Sequence, residues 1–156
     1  MLVRPFPVSH DAVRPVGYCI HTTSGTVCCA TDTGFVTPEM RAEAARADLL
    51  ILESNHDEEM LRTGPYPYFL KRRIIGEKGH LSNDAAAGLI VELAEAERCM
   101  SVWLAHLSKT NNTPAIALAA AEHLLWTCLG TSIDIDIARR DAPSLWWKAG
   151  VGNFEF

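Results

Sequence analysis

Apolar positions fall into short clusters whose spacing changes along the chain, and the spacing predicts the elements. Residues 16–23 and 26–32 each read as a strand, and the Ser24-Gly25 pair between them suits a tight hairpin turn. At Thr37 the pattern changes. A capping hydroxyl, a first-turn proline at Pro38 and an early acid at Glu39 predict a helix running to about Arg46. Leu49 to Leu52 form an apolar run bracketed by Asp48 and Glu53, which predicts a buried strand whose last residue emerges at a sheet edge.

Residues 54–81 keep no period. They predict a short helix near Asp57 to Leu61, then a long, partly ordered loop through Gly64, Pro65 and Pro67 to the basic triplet Lys71, Arg72 and Arg73. Ser82 or Asn83 caps a helix through about Arg98, and Met100 to Leu104 form a further apolar strand. Asn112 or Thr113, followed by Pro114, opens a helix that reaches about Cys128 before Gly130 stops it. Ile133, Ile135 and Ile137 alternate with Asp134 and Asp136, the pattern of a strand with one buried face. The succession predicts an α/β chain, a mixed sheet with flanking helices and no internal repeat. Trp146, Trp147, Phe154 and Phe156 make the tail too aromatic to hang free, so it is expected to dock.

Composition narrows the picture. With 156 residues there is room for one domain, taken as 1–156. Lys plus Arg total 14 against 19 acids, and a net charge of −5 excludes broad coating of nucleic acid or an acidic membrane. Any polyanion contact must be local. The one concentrated basic patch is Lys71, Arg72 and Arg73, where nearby Tyr66, Tyr68 and Phe69 offer faces for unpaired bases. No apolar run approaches the roughly 20 residues that span a bilayer. Pro5 and Pro7 interrupt the stretch a signal peptide would need, so a cytoplasmic chain is expected. Cys19, Cys28, Cys29, Cys99 and Cys128 show no C-x-x-C spacing and read as buried free thiols.

Six histidines are present, and no two stand at the two- to four-residue spacing of a local metal motif. A metal site would have to gather ligands from distant strand ends. His10, Asp32, Glu53 and His106 fall where strands finish, and His80 precedes a helix cap, the places where sites assemble on helix-covered sheets. His21 within a strand and His123 within a helix read as structural.

Five ordered segments carry a resemblance: Val8 to Ala12 around His10, Thr31 to Gly34 around Asp32, Leu52 to Asp57 around Glu53 and His56, Gly79 to Asn83 around His80, and Leu104 to Ser108 around His106. In this order they resemble the metallo-β-lactamase superfamily, within it the YycJ/WalJ-like branch, a relative of the ribonuclease Z and J nucleases. The resemblance implies an αββα sandwich, of which this chain is the C-terminal half, with two divalent ions, zinc or manganese, between the sheet edges. It implies His10 as a ligand of the first ion, Asp32 as the bridge and His106 as a ligand of the second. His80 would give a proton to the leaving oxygen, and Glu53 would fix its ring. Asn55, His56, Ser82 and Asn83 lie in the same segments and are candidate substrate contacts with Lys71, Arg72 and Arg73, although helix capping already accounts for Ser82 and Asn83.

The family's His-x-His-x-Asp-His segment should lie before His10, where nine residues stand. The expectation is therefore weak metal binding and little turnover in isolation. An apolar sheet face should also seek a partner half or a second copy, unless the Trp-rich tail covers it. The implied function is hydrolysis of a DNA or RNA phosphodiester. The other readings are a non-catalytic remnant or assembly module, and a hydrolase of a small lactam or thioester.

Overall fold

The computed structural model describes residues 1–96, 100–143 and 145–149, and the backbone of 152–155. Six strands lie side by side in chain order: β1 (Leu2–Pro7), β2 (Val16–His21), β3 (Thr26–Ala30), β4 (Leu49–Glu53), β5 (Ser101–Ala105) and β6 (Asp134–Ile137). The first three pair antiparallel, and from β3 onward each pair is parallel. This is the mixed sheet expected. β1 is an addition to the expected strands, because Pro5 and Pro7 break its pattern and proline is tolerated at the sheet edge that β1 occupies.

The helices are α1 (Pro38–Ala44), α2 (Glu58–Thr63), α3 (Tyr68–Ile75), α4 (Asn83–Glu95) and α5 (Pro114–Leu129). Thr37, Asp57, Ser82 and Thr113 cap α1, α2, α4 and α5, each accepting from the backbone N–H three residues on. Gly130, at φ 61°, closes α5 in the left-handed conformation. The expected loop at 68–75 is instead α3. Its N-cap is Pro67, with no side-chain cap, and Ile74 is its one buried residue, so it carries neither a start signal nor an apolar stripe. α4 stops at Glu95, short of the expected Arg98; residues 97–99, including Cys99, lie outside the described residues.

α1, α4 and α5 cover one face of the sheet. There Cys28, Leu50 and Val102, then Ala30, Leu52 and Leu104, form two buried rows across β3, β4 and β5. On the opposite face Val27, Cys29, Ile51 and Trp103 are half-buried, while Val3 and Tyr18 are exposed. The aromatic tail does dock. It forms a hairpin of β7 (Leu145–Lys148) and β8 (Gly152–Glu155), and the Trp147 ring would lie 3.0 Å from a Cβ added at Gly25 in the β2–β3 turn. Trp146 stays exposed, and Phe156 lies outside the described residues. Cys19 and Cys28 are buried as expected; Cys29 is half-buried and Cys128, near the end of α5, is exposed. Among the described residues no helix is long and apolar enough to cross a membrane.

Candidate metal centre

Parallel β3, β4 and β5 finish at one rim of the sheet, and Asp32, Glu53 and His106 stand at those ends. Asp32 and His106 both have φ 56°, the two non-glycine residues with positive φ among the described residues. Such a conformation costs on the order of 1–3 kcal/mol and persists where surrounding structure imposes it.

Two further loops close over this rim. Gly34 N–H donates to Ser9 O at 2.7 Å, and the Ser9 hydroxyl donates to Glu77 O at 2.7 Å. A Cβ at Gly34 would stand 2.2 Å from Glu77 O, and one at Gly79 would stand 2.1 Å from Ile74 O. Both glycines therefore permit backbone contacts that a side chain would block. The closed loop presents Gly79 O to His10 Nδ1 at 3.0 Å and carries His80 to the rim.

Glu53 is fully buried and organises the site. Its Oε1 accepts from His80 Nδ1 at 2.8 Å and from His106 Nδ1 at 2.7 Å, while Oε2 accepts from Thr33 N–H at 2.8 Å. Burial pushes this carboxyl up, but the bonds from His106, His80 and Thr33 together outweigh it and hold it below the usual carboxylate range. The bond to Glu53 in turn raises His106 above the ordinary histidine value, against burial.

Asp32 Oδ1 lies 3.7 Å from His10 Nε2, 3.8 Å from His106 Nδ1 and 3.9 Å from His80 Nδ1. All three exceed hydrogen bonds, and the His10 Nε2 distance matches the spacing of two donors on one cation with bonds of about 2.0–2.2 Å; the Nδ1 atoms of His80 and His106 are committed to Glu53, which leaves Nε2 as the nitrogen each ring could offer. His80 stacks obliquely between the other two rings, with centroids 5.0 Å from His10 and 5.2 Å from His106. Asp32, Glu53, His80 and His106 offer donor atoms within 4.8 Å of one another. Nitrogen and carboxylate oxygen suit zinc or manganese, and a carboxylate behind a histidine is the usual support for a metal-binding imidazole.

A cleft of about 400 Å³ opens beside the three histidines, with Asn55, Tyr66, Arg73, Lys109 and Arg140 among its lining residues. Asn55 Nδ2 also donates to His106 O, fixing the backbone of that strained residue. A second hollow of about 480 Å³, lined by His56 and Ser82, shares His80 with the first. Of the basic triplet, Arg73 alone lines the cleft, bonded through Nε to Asp11. Lys71 Nζ donates to Arg62 O, and the Arg72 guanidinium lies over the Tyr68 ring. Asn83 lines neither hollow: its Oδ1 accepts from the Ser54 hydroxyl and from Asn112 Nδ2 in a buried network. His56 is buried and neutral, pushed down to about 4 by burial.

Thr33, Lys109 and Arg140 carry no signal of their own in the sequence, and Asn112 reads there only as a helix start. Thr33 and Asn112 act through backbone or amide bonds to residues far along the chain, which no local pattern announces. Arg140 reaches the cleft by donating to Leu107 O.

Residues 1–103 match the beta-lactamase superfamily domain. The chain belongs to that superfamily. Its curated relatives in the superfamily include exodeoxyribonuclease YycJ of Bacillus anthracis, 39% identical over 123 residues, which are 79% of this chain and 46% of that protein. Exodeoxyribonuclease WalJ of Streptococcus pneumoniae serotype 2 is 36% identical over 136 residues, 86% of this chain and 50% of that protein. The chain thus spans about half the length of the curated relatives it matches. The crystal structure of the metallo-beta-lactamase fold protein YhfI from Bacillus subtilis superposes with a TM-score of 0.60 at 18% identity, covering 99% of this chain and 48% of that one. The superfamily fold implies divalent metals, and the donor set at the rim is suited to them.

Proposed function

We propose that this chain forms part of a metal-dependent phosphodiester hydrolase acting on DNA or RNA, and that the rim cluster is its site. What supports the reading is the convergence of His10, His80 and His106 on one oxygen of Asp32, with Glu53 behind them. In this reading His10, Asp32 and His106 would hold the ions, His10 on one, His106 on the other and Asp32 shared between them. Bound there, two divalent ions would offset charge on the phosphoryl oxygens and ease ionisation of the attacking water. Glu53 holds His80 Nδ1 and leaves Nε2 as the nitrogen that gives a proton to the leaving oxygen. Arg73, Lys109 and Arg140 line the cleft where a phosphate backbone would run, and Tyr66 offers an aromatic face beside them.

The sequence contains no His-x-His-x-Asp-His segment, so the remaining ligands must come from elsewhere. The half-buried sheet face bearing Val3, Tyr18, Ile51 and Trp103 is the surface on which a complementary half would pack. Two preparations test both points: the chain alone, and the chain joined to the part of a YycJ or WalJ relative with which it does not align. Each is titrated calorimetrically with zinc and manganese and assayed on end-labelled DNA and RNA. The expected result is weak uptake and little hydrolysis alone, then two tightly bound ions and nucleotide release when joined. In the joined protein, His80→Gln should lower kcat while metal uptake persists. Tight two-ion uptake without hydrolysis of either nucleic acid would mark a non-catalytic module; turnover of lactams or thioesters alone would mark a different hydrolase.

A further inference from the structure

At the other end of the sheet from the rim, a second polar cluster sits under α1. Cys19 and His21 point from β2 to the helix-covered face, two residues apart, and Glu43 meets them from α1. Their donor atoms lie within 4.8 Å of one another. Cys19 is 0% exposed and Glu43 7% exposed.

Two donor atoms in this cluster are buried with no hydrogen-bond partner: His21 Nε2 and Glu43 Oε2. Buried polar atoms are rarely left so, because each forfeits its bonds to water. The usual structural explanations account for the opposite atoms only. Arg4 and Arg46 both bond Glu43 Oε1, at 2.9 and 3.4 Å, and the Cys19 thiol adds a weak interaction with the carboxylate, while Oε2 has no partner at hydrogen-bond geometry. His21 Nδ1 meets the Thr26 hydroxyl at 3.2 Å, which fixes the ring and, with Nδ1 as donor, leaves Nε2 an exposed lone pair inside the protein. Cys28 stands directly opposite Cys19 in register and is equally buried, but it is not one of the mutually close donors.

We infer that Cys19, His21 and Glu43 form a second metal site, separate from the rim cluster, that takes one zinc-class cation. Thiolate, imidazole and carboxylate together suit this borderline-soft ion, and donors on a tetrahedral ion stand about 3.3–3.8 Å apart, so the cluster needs to close by about 1 Å. The Cys19 thiol is protonated without metal, because burial raises it. It therefore releases its proton to solvent as its S–metal bond forms. The thiolate charge offsets the repulsion between the cation and the two arginines on Glu43. A cation here would tie β2 to α1 beneath the helix layer, a structural role away from the rim.

Sulfur distinguishes this site from the rim, whose donors are nitrogen and oxygen. The reduced, chelator-stripped chain is titrated with cobalt(II) and then zinc. The expected result is one equivalent of cobalt giving a near-ultraviolet sulfur-to-cobalt charge-transfer band, displaced by one equivalent of zinc. Cys19→Ser should abolish the band, His21→Ala should weaken uptake by roughly tenfold or more with the far-ultraviolet spectrum unchanged, and His106→Ala should leave the band intact. If Cys19→Ser does not fold, the His21→Ala result decides. No band in the folded, reduced chain, or undiminished uptake in His21→Ala, would overturn the assignment.

Discussion

Glu53 and Glu43 are the two buried carboxylates among the described residues, and they are used in opposite ways. Glu53 spends both oxygens on groups that are themselves held in place: two imidazoles on Oε1 and the Thr33 N–H on Oε2. Glu43 takes two arginines on Oε1, and its Oε2 has no partner at hydrogen-bond geometry. Burial pushes each carboxyl up, and in each the partners outweigh it. Equal ionisation thus conceals unequal commitment. Glu53 is locked into a finished network, whereas Glu43 keeps a lone pair free, and its partners can retreat to water because the Arg4 and Arg46 side chains are 48% and 58% exposed.

The largest expected effect separates the two directly. Glu53→Ala should cost about 2–4 kcal/mol in urea denaturation at neutral pH, since it strands the buried Thr33 N–H and removes the acceptor shared by the part-buried His80 and by His106. Glu43→Ala should cost about 1–2 kcal/mol, because its arginines are free to hydrate. Equal losses would break the comparison.

Acid titration of stability should come next in size. His56, buried beside the rim, is pushed from 6.5 down to about 4. Its folded value lies below its unfolded one, so the unfolded chain binds the proton first, and stability falls as pH drops from 6.5 toward 4. The loss is on the order of 3 kcal/mol. His106 has the opposite sign: its raised value gives stability that is fully present below 6.5 and lost as pH rises through the folded value. Glu53, held below 4.5, gives stability that is lost only as pH falls through its lowered value. Denaturant midpoints measured across pH with chelator present, for the wild type and for His56→Gln, check this: the variant should lose the decline between 6.5 and 4 and retain that above 6.5.

How far the sequence disclosed the rim depends on the range of each interaction. Thr37, Ser82 and Thr113 announce their helices because a cap bonds a backbone N–H three residues on. α3 and β1 escape because their signals are tertiary: α3 has one buried residue, and β1 is held by pairing along one edge. The rim residues were legible as strand-end motifs. Their geometry was not, since the Glu53 bond to His106 spans 53 residues, and the positive φ of Asp32 and His106, a conformation Asp and His adopt more readily than most residues, is marked by no local spacing. Gly79 and Gly88 show the same divide. A Cβ at Gly79 would meet Ile74 O at 2.1 Å, whereas one at Gly88 in α4 would meet nothing within 4 Å. Gly79→Ala should therefore cost about 1–3 kcal/mol by forcing apart the loop that carries His80. Gly88→Ala should add about 0.5–1 kcal/mol of stability by helix propensity alone. Thermal unfolding of the two variants reads both signs.

The smallest effect concerns the rim's reach beyond its own network. Lys71, Arg72 and Arg73 are consecutive and equally basic, so charge alone predicts equal contributions to binding a polyanion. Geometry predicts inequality. Arg73 lines the cleft beside His10 and His80, while Lys71 is turned to the Arg62 carbonyl and Arg72 to the Tyr68 ring. If nucleic acid runs through the cleft, Arg73→Ala should weaken DNA binding a few-fold and reduce the salt dependence by about one phosphate contact, and Lys71→Ala should leave both nearly unchanged. Fluorescence anisotropy on a labelled strand at several salt concentrations measures the difference. Three equal losses would mean that the triplet acts as a diffuse field, and that the cleft does not guide the strand.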